Sequence, residues 1–338
     1  MRSIRHGGER SVIRNKYPNV VGSWLDLSTG VNPTPYPWVD KIPANEILEA
    51  SANLPDQDLV DACRDTWCQY LGAQNELEWT VTAGSQAVIN LFPYLFHDHS
   101  ICLPEPTYGE HVRVWKNEGR LIKRFKAHEV KTCDFPARSV VIITNPNNPD
   151  GTQYKPEDLL VLAKKLESLE SILVVDEAFC DVLSDHSLAS HALPNNVLIM
   201  RSFGKFFGLA GLRIGCLRAT PHLQEKLQTL LGPWSVNAVA ILAAKHALED
   251  TQWISQTRQK LERDSSALKN ILRDNNLNIV GGTDLFQLVQ SSQAANIADR
   301  LAHRGIYVRT FIENQNHIRF GLPANNEGFA RLNSALQG

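Results

Sequence analysis

Three apolar runs that each end in polar residues constrain the fold of this chain most. They are SVVIITNPNNP from Ser139, SILVVDEAFCDVL from Ser171 and NVLIMRS from Asn196. Continuous apolar runs of this length are typical of parallel strands that are buried on both faces. An amphipathic helical pattern with Pro156 in its first turn, KPEDLLVLAKKLESL, separates the first run from the second. This alternation predicts a right-handed parallel α/β core.

Polar side chains follow each of these runs. Asn148, Asp176 and Ser202 all come just past the end of one predicted strand. The carboxyl ends of parallel strands meet at one edge of the sheet, where ligands of α/β proteins bind. We therefore expect these three side chains to point toward one crevice.

The rest of the chain predicts a second, smaller domain. About the first 50 residues are rich in turn formers, whereas long helical patterns dominate after Pro221 and short strands are expected near 285–289, 306–308 and 317–320. The predicted division is an N-terminal arm with part of the small domain over 1–50, a large domain over 51–232, and linking helices with a small α+β domain over 233–338.

Composition excludes several classes of protein. The 338 residues are 43% hydrophobic and 21% charged with a net charge of −2, so the basic excess of a nucleic-acid-binding protein is missing. No stretch reaches transmembrane length, and the N-terminus carries no apolar leader pattern. The six cysteines are scattered without a C-x-x-C pair, which favours reduced thiols in the cytoplasm. Histidines lack acidic or thiol neighbours at useful spacing, so no metal site is expected.

The segment MRSFGKFFGLAGLRIG (200–215) places one lysine, Lys205, among aromatic side chains. Burial of a lysine is costly unless the amine is neutral, paired or covalently used. Ser202 and Arg213 on either side are good phosphate ligands, and a desolvated lysine near cations is nucleophilic toward an aldehyde. An aldehyde that carries a phosphate describes pyridoxal phosphate. Ser-x-x-Lys alone also fits a lysine that reaches the surface from a strand–loop junction.

Four other stretches fit the same cofactor. Asp176 in VVDEAF can hold a pyridine nitrogen protonated, and Asn148 in NPNNPDG can reach a ring oxygen. TAGSQAV offers the backbone N–H groups of Ser85 and Gln86 at a helix N-terminus, and Tyr108 in PEPTYGEH can stack on a flat ring. Each stretch alone also fits an ordinary cap, turn or core residue. The prediction of a pyridoxal phosphate site depends on the order of these stretches on successive strand ends.

The order AGSQ, PTY, NPNNPDG, DEAF, SFGK, GLRIG and HIRFG resembles, over nearly the whole chain, that of the fold-type I pyridoxal-phosphate enzymes of the class I/II aminotransferase superfamily. The resemblance implies a large domain with a mostly parallel central sheet between helices, a smaller α+β domain and a homodimer. It implies that Lys205 binds the cofactor covalently and that Lys205 and Asp176 are catalytic. The cofactor-binding residues it implies are Ser85, Gln86, Tyr108, Asn148, Asp176, Ser202, Lys205 and Arg213, and Arg319 would bind the substrate carboxylate.

Three further stretches, RHGGE, LSTGVNPTPYP and GPWSVNAVA, resemble the L-threonine-O-3-phosphate decarboxylase group of cobalamin biosynthesis. The resemblance implies decarboxylation of that substrate to (R)-1-aminopropan-2-ol O-2-phosphate. It also implies that Asn32 lies near the substrate and that His6 and Arg309 bind its phosphate.

Two alternatives stay open and one is rejected. The first is an aminotransferase acting on histidinol phosphate or a related phosphorylated amine, and the second is a non-catalytic protein on the same fold. A nucleotide-binding oxidoreductase is rejected because GLAGLRIG does not match G-x-G-x-x-G.

Three positions depart from the pattern of the superfamily. Leu54 stands before PD, where better-known members have a tyrosine that reaches the cofactor phosphate of the partner subunit. Asp150 replaces the usual threonine of N-P-T-G. Phe179 stands where many aminotransferases have a tyrosine that donates to the ring oxygen.

Overall fold

A computed structural model of the protein describes residues 6–338, apart from the side chain of Ser184. In chain order the strands are β1 (Leu25–Leu27), β2 (Trp79–Thr82), β3 (Ser100–Pro104), β4 (Ile122–Phe125), β5 (Ser139–Thr144), β6 (Ile172–Asp176), β7 (Val197–Ser202), β8 (Gly215–Arg218), β9 (Asn278–Thr283), β10 (Phe286–Gln290), β11 (Ile306–Thr310) and β12 (His317–Gly321). The α-helices are α1 (Arg10–Lys16), α2 (Trp38–Lys41), α3 (Ala44–Ala52), α4 (Gln57–Leu71), α5 (Ser85–Leu95), α6 (Gly109–Asn117), α7 (Pro156–Glu167), α8 (Pro221–Leu231), α9 (Ala238–Glu249), α10 (Thr251–Asp274), α11 (Ala294–His303) and α12 (Asn326–Gln337).

The chain divides into two compact units. Unit 1 comprises the described residues up to Pro35 together with Pro149–Gly151 and Ser255–Gly338, and unit 2 comprises Tyr36–Asn148 and Thr152–Ile254. These bounds differ from the predicted division at 50 and 232. Residues 36–50 and 233–254 lie in unit 2 because α9 packs against α3 and α4.

Unit 2 is built on a seven-stranded sheet in the order β2-β8-β7-β6-β5-β3-β4. The five strands from β3 to β7 run parallel, whereas β8 is antiparallel to both of its neighbours. Strands β5 and β7 are buried along their whole length, as their continuous apolar sequences predict. The predicted mostly parallel α/β sheet is therefore confirmed.

The core of unit 2 lies where α5 meets this sheet. Val88, Ile89 and Phe92 of α5 pack in one apolar cluster with Ile142 of β5 and Leu198 of β7. Full burial of such a side chain contributes about 1.5–3 kcal/mol relative to its exposure. The cluster stabilises the strands whose carboxyl ends carry the predicted site.

Local sequence signals explain where several helices begin. Asp56 precedes α4 and accepts a hydrogen bond from the N–H of Leu59 at 2.8 Å. Asn237 caps α9 in the same way by accepting from the N–H of Ala240 at 2.8 Å. Pro156 opens α7, where its missing N–H would have no partner within the helix. Each of these helices begins beside a residue type that favours a helix start, and only the start of α7 at Pro156 was predicted.

Unit 1 contains a five-stranded sheet in the order β1-β11-β12-β10-β9. Strand β1 runs parallel to β11, and the remaining neighbours are antiparallel. The three strands expected near 285–289, 306–308 and 317–320 are present as β10, β11 and β12. Strand β1 was not expected in the N-terminal arm. It is only three residues long and joins the sheet through long-range pairing with β11.

Candidate active site

Asp176, the last residue of β6, has a buried carboxylate with two donors. Its Oδ2 lies 2.9 Å from Nε2 of His111, and its Oδ1 accepts from the N–H of Ala178 at 3.1 Å. His111 belongs to α6 and is fully buried. An ionised carboxylate only accepts hydrogen bonds, so Nε2 of His111 donates when Asp176 is ionised. The pair holds the Asp176 carboxylate in one orientation.

Lys205 lies in the turn between β7 and β8, and its Nζ is 5.3 Å from the centre of the Phe179 ring. Its neighbours Phe203 and Phe207 are buried and stack with their centroids 4.4 Å apart. Lys205 itself is half-buried, whereas its aromatic sequence neighbours predicted a buried lysine. The aromatic side chains turn into the core, which leaves the lysine at its border with its ammonium over an aromatic ring.

The donor set around the start of α5 fits a phosphate group. Gly84 precedes Ser85 with a φ of 77°, and no side chain caps the helix there. A Cβ atom at position 84 would lie 2.6 Å from Nη2 of Arg213, so the glycine leaves the space that the guanidinium takes. The first N–H groups of a helix have no acceptor within it. An anion bound by both groups would offset the repulsion between the guanidinium and the positive end of the helix.

Ser202 completes the predicted phosphate set on this unit. It is buried at the end of β7 and pairs in register with Gly215 of β8. Arg213, two residues before Gly215, has a left-handed φ of 56°, and its Nη1 donates to the carbonyl of Ala210 at 2.8 Å. The structure therefore places Ser202 and Arg213 on adjoining segments.

Asn148 lies in the turn that follows β5, where two neighbouring asparagines have structural roles. Asn145 donates from Nδ2 to the carbonyl of Tyr154 at 3.0 Å, and Asn147 donates to the carbonyl of Pro106 at 3.0 Å. Both are buried, whereas Asn148 is half-buried. The turn that carries Asn148 is thus held by the side chains on its N-terminal side.

The two predicted substrate arginines are cross-strand partners in unit 1. Arg309 of β11 and Arg319 of β12 are opposite each other in the antiparallel register. Arg319 is buried, its guanidinium lies 4.6 Å from the centre of the Phe286 ring, and its Nη2 donates to the carbonyl of Ser28 at 3.3 Å. Arg309 lies over the ring of Phe311 at 5.2 Å. Like charges that are directly opposite disfavour strand pairing, so this arrangement is suited to an anion.

Asn32 and His6 also belong to unit 1. Asn32 is buried, and its Oδ1 accepts from the N–H of Thr34 at 2.9 Å. His6 is exposed, and its carbonyl accepts from the hydroxyl of Tyr307 at 3.2 Å. The hydrogen bond places the start of the described chain beside β11. The substrate roles of both side chains stay predictions.

A buried charged network lies directly beside the predicted site and was missed from the sequence. Arg201 precedes Ser202, and its Nη1 donates to Oε2 of Glu177 at 2.7 Å. Its Nη2 donates to Asp181, which also accepts from the hydroxyl of Tyr70 at 2.8 Å. Burial acts to lower the pKa of Arg201, but the facing carboxylates outweigh it and raise the pKa well above its ordinary value.

The comparisons with known proteins identify the family. The model of the family described as aminotransferase class I and II matches residues 23–331. The chain belongs to this aminotransferase family.

Two curated relatives and one solved structure refine the comparison with this family. The threonine-phosphate decarboxylase of Pseudomonas aeruginosa is 36% identical over 99% of this chain and 98% of its own length. That of a Sinorhizobium species is 36% identical over 98% of this chain and 97% of its own length. The structure of histidinol-phosphate aminotransferase from Sinorhizobium meliloti in complex with pyridoxal-5'-phosphate has a TM-score of 0.82 and 20% identity. That alignment covers 96% of this chain and 92% of the other.

The three departures from the family pattern have different structural settings. Phe179 is buried and faces the ammonium of Lys205, so its ring has a contact that needs no hydroxyl. Leu54 is 65% exposed. The carbonyl of Asp150 accepts from the N–H of Gly282 at 2.9 Å.

His111 was not predicted as a functional residue, although it ends the segment PTYGEH that contains Tyr108. The only signal was a histidine in an otherwise helical segment, and nothing local relates it to Asp176, which is 65 positions away. Glu177 and Arg201 were missed for a similar reason. Each is adjacent to a predicted site residue, but burial and mutual contact appear only in the folded chain.

Within the part of the chain that the structure describes, no group of three or more histidine, cysteine, aspartate or glutamate residues is arranged to hold a metal ion. Over the same residues, no helix has both the length and the apolar character needed to cross a membrane.

Proposed function

We propose that this aminotransferase-family protein is a pyridoxal-phosphate-dependent decarboxylase that acts on L-threonine O-3-phosphate. The observation that carries the proposal is the cross-strand pair of Arg309 and Arg319. The proposal is supported by two relatives named threonine-phosphate decarboxylase, each 36% identical over nearly full length.

The arginine pair matches a substrate with two anionic groups. Guanidinium groups bind carboxylates and phosphates through paired hydrogen bonds. We assign the substrate carboxylate to Arg319, whose buried guanidinium is already held by an aromatic ring and a carbonyl. We assign the substrate phosphate to Arg309 and His6, with Asn32 also contacting the substrate. The product would be (R)-1-aminopropan-2-ol O-2-phosphate, a building block for cobalamin.

The cofactor residues are assigned on unit 2. Ser85, Gln86, Ser202 and Arg213 would hold the cofactor phosphate, Asn148 would meet the ring oxygen, Tyr108 would stack on the ring and Lys205 would bind the aldehyde. When bound, pyridoxal phosphate supplies an electron sink for charge that develops at the substrate Cα. Asp176, held by His111, would keep a proton on the pyridine nitrogen.

The reaction breaks the bond between Cα and the carboxylate, and CO2 leaves with its electron pair left at Cα. The amine of Lys205, freed when the substrate amine takes its place at the aldehyde and protonated by that amine, would then donate a proton to Cα as general acid. Arg319 and Arg309 fix the two ends of the substrate, so they decide which bond at Cα is aligned for cleavage. This is positioning catalysis, in which a displacement of about 1 Å can cost about 100-fold in rate.

The test is to incubate the purified protein with pyridoxal phosphate and L-threonine O-3-phosphate in the absence of any 2-oxo acid. We expect CO2 and an amine lighter by one CO2 in the mass spectrum. Conversion of the cofactor to its pyridoxamine form with histidinol phosphate, and no CO2, would instead establish the aminotransferase alternative. If the protein incubated with pyridoxal phosphate showed no absorption band from bound cofactor, the non-catalytic alternative would be supported.

An arginine variant tests the substrate assignment. Arg309→Gln should raise KM for L-threonine O-3-phosphate by about tenfold or more, because a charge-assisted contact with phosphate is lost. Arg300→Gln, at an exposed position in the last turn of α11, is the matched control and should leave KM unchanged. An unchanged KM in Arg309→Gln would refute the assignment.

We also propose that the enzyme works as a homodimer in the cytoplasm. Leu54 and Trp234 of unit 2 are exposed by more than half, and a partner subunit that covered them would bury apolar surface. All six cysteines are free thiols, as expected in a reducing compartment. Light scattering across a range of concentrations should give twice the mass of 37.8 kDa.

A further inference from the structure

The first turn of α6 anchors a hydrogen-bond chain that ends at Tyr108. Arg113 Nε donates to both oxygens of the buried carboxylate of Glu110, each at 2.8 Å. Gln86 Nε2 donates to Glu110 Oε2 at 3.1 Å and to Asn90 Oδ1 at 3.0 Å. The hydroxyl of Tyr108 lies 3.3 Å from Gln86 Oε1. Gln86 thus connects the buried carboxylate of the Glu110–Arg113 ion pair to the predicted stacking tyrosine.

The donor and acceptor of every hydrogen bond in this series follow from Arg113, the charged group at which it begins. Arg113 has only donors, and its Nη2 lies 3.4 Å from Asn90, so the atom it meets is the oxygen Oδ1. Gln86 faces that oxygen and the Glu110 carboxylate, so it turns its Nε2 toward both. Its Oε1 therefore faces Tyr108, and the Tyr108 hydroxyl must donate its hydrogen to Gln86.

We propose that Glu110 is a positioning residue for the cofactor, acting through Gln86 on the hydroxyl of Tyr108. The inference rests on the proposed function, which assigns Tyr108 to stacking on the cofactor ring. Because Gln86 accepts a hydrogen bond from the Tyr108 hydroxyl, the orientation of the tyrosine ring is fixed before the cofactor binds. A preorganised ring loses less side-chain entropy on binding, which improves affinity.

The same turn of α6 also supports a second predicted cofactor contact. Glu110 acts on Tyr108, while the next residue, His111, holds Asp176 at 2.9 Å. The rings of Tyr108 and His111 also contact each other edge to face, with centroids 5.8 Å apart. The hydrogen bonds that Arg113 donates to the Glu110 carboxylate raise the pKa of Arg113, which is consistent with a stable ion pair. One helical turn is therefore the common support of two cofactor contacts.

The experiment compares Glu110→Gln with a matched control, Glu118→Gln. Glu118 at the end of α6 also accepts from a tyrosine of α5, with Tyr94 hydroxyl to Glu118 Oε1 at 3.3 Å. Each protein is titrated with pyridoxal phosphate, and the dissociation constant and the visible circular dichroism of the bound cofactor are measured. Glu110→Gln should bind about five- to tenfold more weakly with an altered dichroic band, because one hydrogen bond is lost. Glu118→Gln should match the wild type.

A double-mutant cycle separates positioning from a general structural role. The same titration is made for Tyr108→Phe and for the variant that combines it with Glu110→Gln. If Glu110 acts through the hydroxyl, Glu110→Gln should change binding in the wild type and add nothing once the hydroxyl is gone. An equal loss in both backgrounds would overturn the inference, and so would wild-type binding and dichroism in Glu110→Gln.

These outcomes are distinct from a failure of the proposed function. If the wild-type protein bound no pyridoxal phosphate, the proposed function would fail and the inference with it. If the wild type bound the cofactor and released CO2 while Glu110→Gln behaved like Glu118→Gln, the inference alone would fail.

Discussion

Nε2 of His111 lies 2.9 Å from Oδ2 of Asp176, and both side chains are buried. The contact joins the first turn of α6 to the carboxyl end of β6, two elements separated by 65 positions in the chain. A hydrogen bond to a charged group contributes about 1.5–3 kcal/mol when neither partner has water as an alternative. The hydrogen bond between His111 and Asp176 therefore both stabilises the fold and orients the predicted catalytic carboxylate.

Replacement of this histidine should affect both properties. His111→Leu should lower the free energy of unfolding by about 1.5–3 kcal/mol, because the Asp176 carboxylate loses a donor that water cannot replace. Urea unfolding measures the change as a lower midpoint at constant slope. His222→Leu, at an exposed position of α8, should change it by less than about 0.5 kcal/mol. Equal midpoints for the two variants would contradict this interpretation.

Substitution within the buried charges around Arg201 should lower the free energy of unfolding more than substitution within any surface ion pair. Arg201→Met leaves the carboxylates of Glu177 and Asp181 buried without their cation, and we expect a loss of about 3–5 kcal/mol. Lys131→Met removes the exposed partner of Asp158, at 2.7 Å, and should cost less than about 1 kcal/mol. Chemical denaturation of both variants measures the difference. If both variants lost a similar amount of unfolding free energy, burial would not determine how much an ion pair contributes to stability.

Gly84 offers a test of the anion site, with Gly119 as a control that also has a positive φ. Gly84→Ala and Gly119→Ala both place a side chain at a positive φ, 77° and 69°. The new methyl group would meet the guanidinium of Arg213 at position 84, whereas nothing lies within 4 Å at position 119. We expect a loss of stability of about 1 kcal/mol at position 119. The loss should be larger, about 1–3 kcal/mol, at position 84, where a ψ of 159° at positive φ is reached essentially only by glycine.

The cofactor affinity should separate the two glycine variants. Gly84→Ala should weaken binding of pyridoxal phosphate by about tenfold, because the displaced guanidinium loses a charge-assisted contact with phosphate. Gly119→Ala should bind as the wild type does. Fluorescence titration measures both, and equal affinities would mean that Arg213 does not hold the phosphate.

Asp250 should make the stability of unit 2 depend on acid pH. Its carboxylate accepts from Lys41 Nζ at 2.8 Å and from the N–H of Trp253 at 2.9 Å. Burial acts to raise the pKa of Asp250, but these hydrogen bonds outweigh it and the pKa is lowered. A group whose pKa is lower in the folded state stabilises above its unfolded pKa, near 4, and loses this contribution as the pH falls through the folded value.

The variant Asp250→Asn isolates this charge, since asparagine still caps the helix. It should be less stable than the wild type by about 0.5–1 kcal/mol at pH 6, and the difference should shrink toward zero near pH 2. Glu249→Gln, at the adjacent exposed position, should show little change at either pH. Urea midpoints at the two pH values measure the effect. A difference that persists at the lower pH would refute the assignment to the Asp250 charge.

The sequence by itself determined the parallel sheet and the polar residues at its strand ends. Apolar runs such as the one that becomes β5 are buried wherever the chain folds, and the residues that follow them emerge at one edge of the sheet because parallel strands share a direction. Asp176 and Ser202 were therefore predictable as polar residues at the sheet edge where β6 and β7 end. The order of the motifs further indicated the family.

Only the tertiary structure decided which side chains contact one another. The opposition of Arg309 and Arg319 depends on the register of β11 and β12, and a slip of one residue would turn one arginine to the other face. The contact of His111 with Asp176 depends on how α6 packs beside the strand ends. Side-chain periodicity is local, whereas register and packing are settled by burial of the whole core, so these pairings could not be predicted from the sequence.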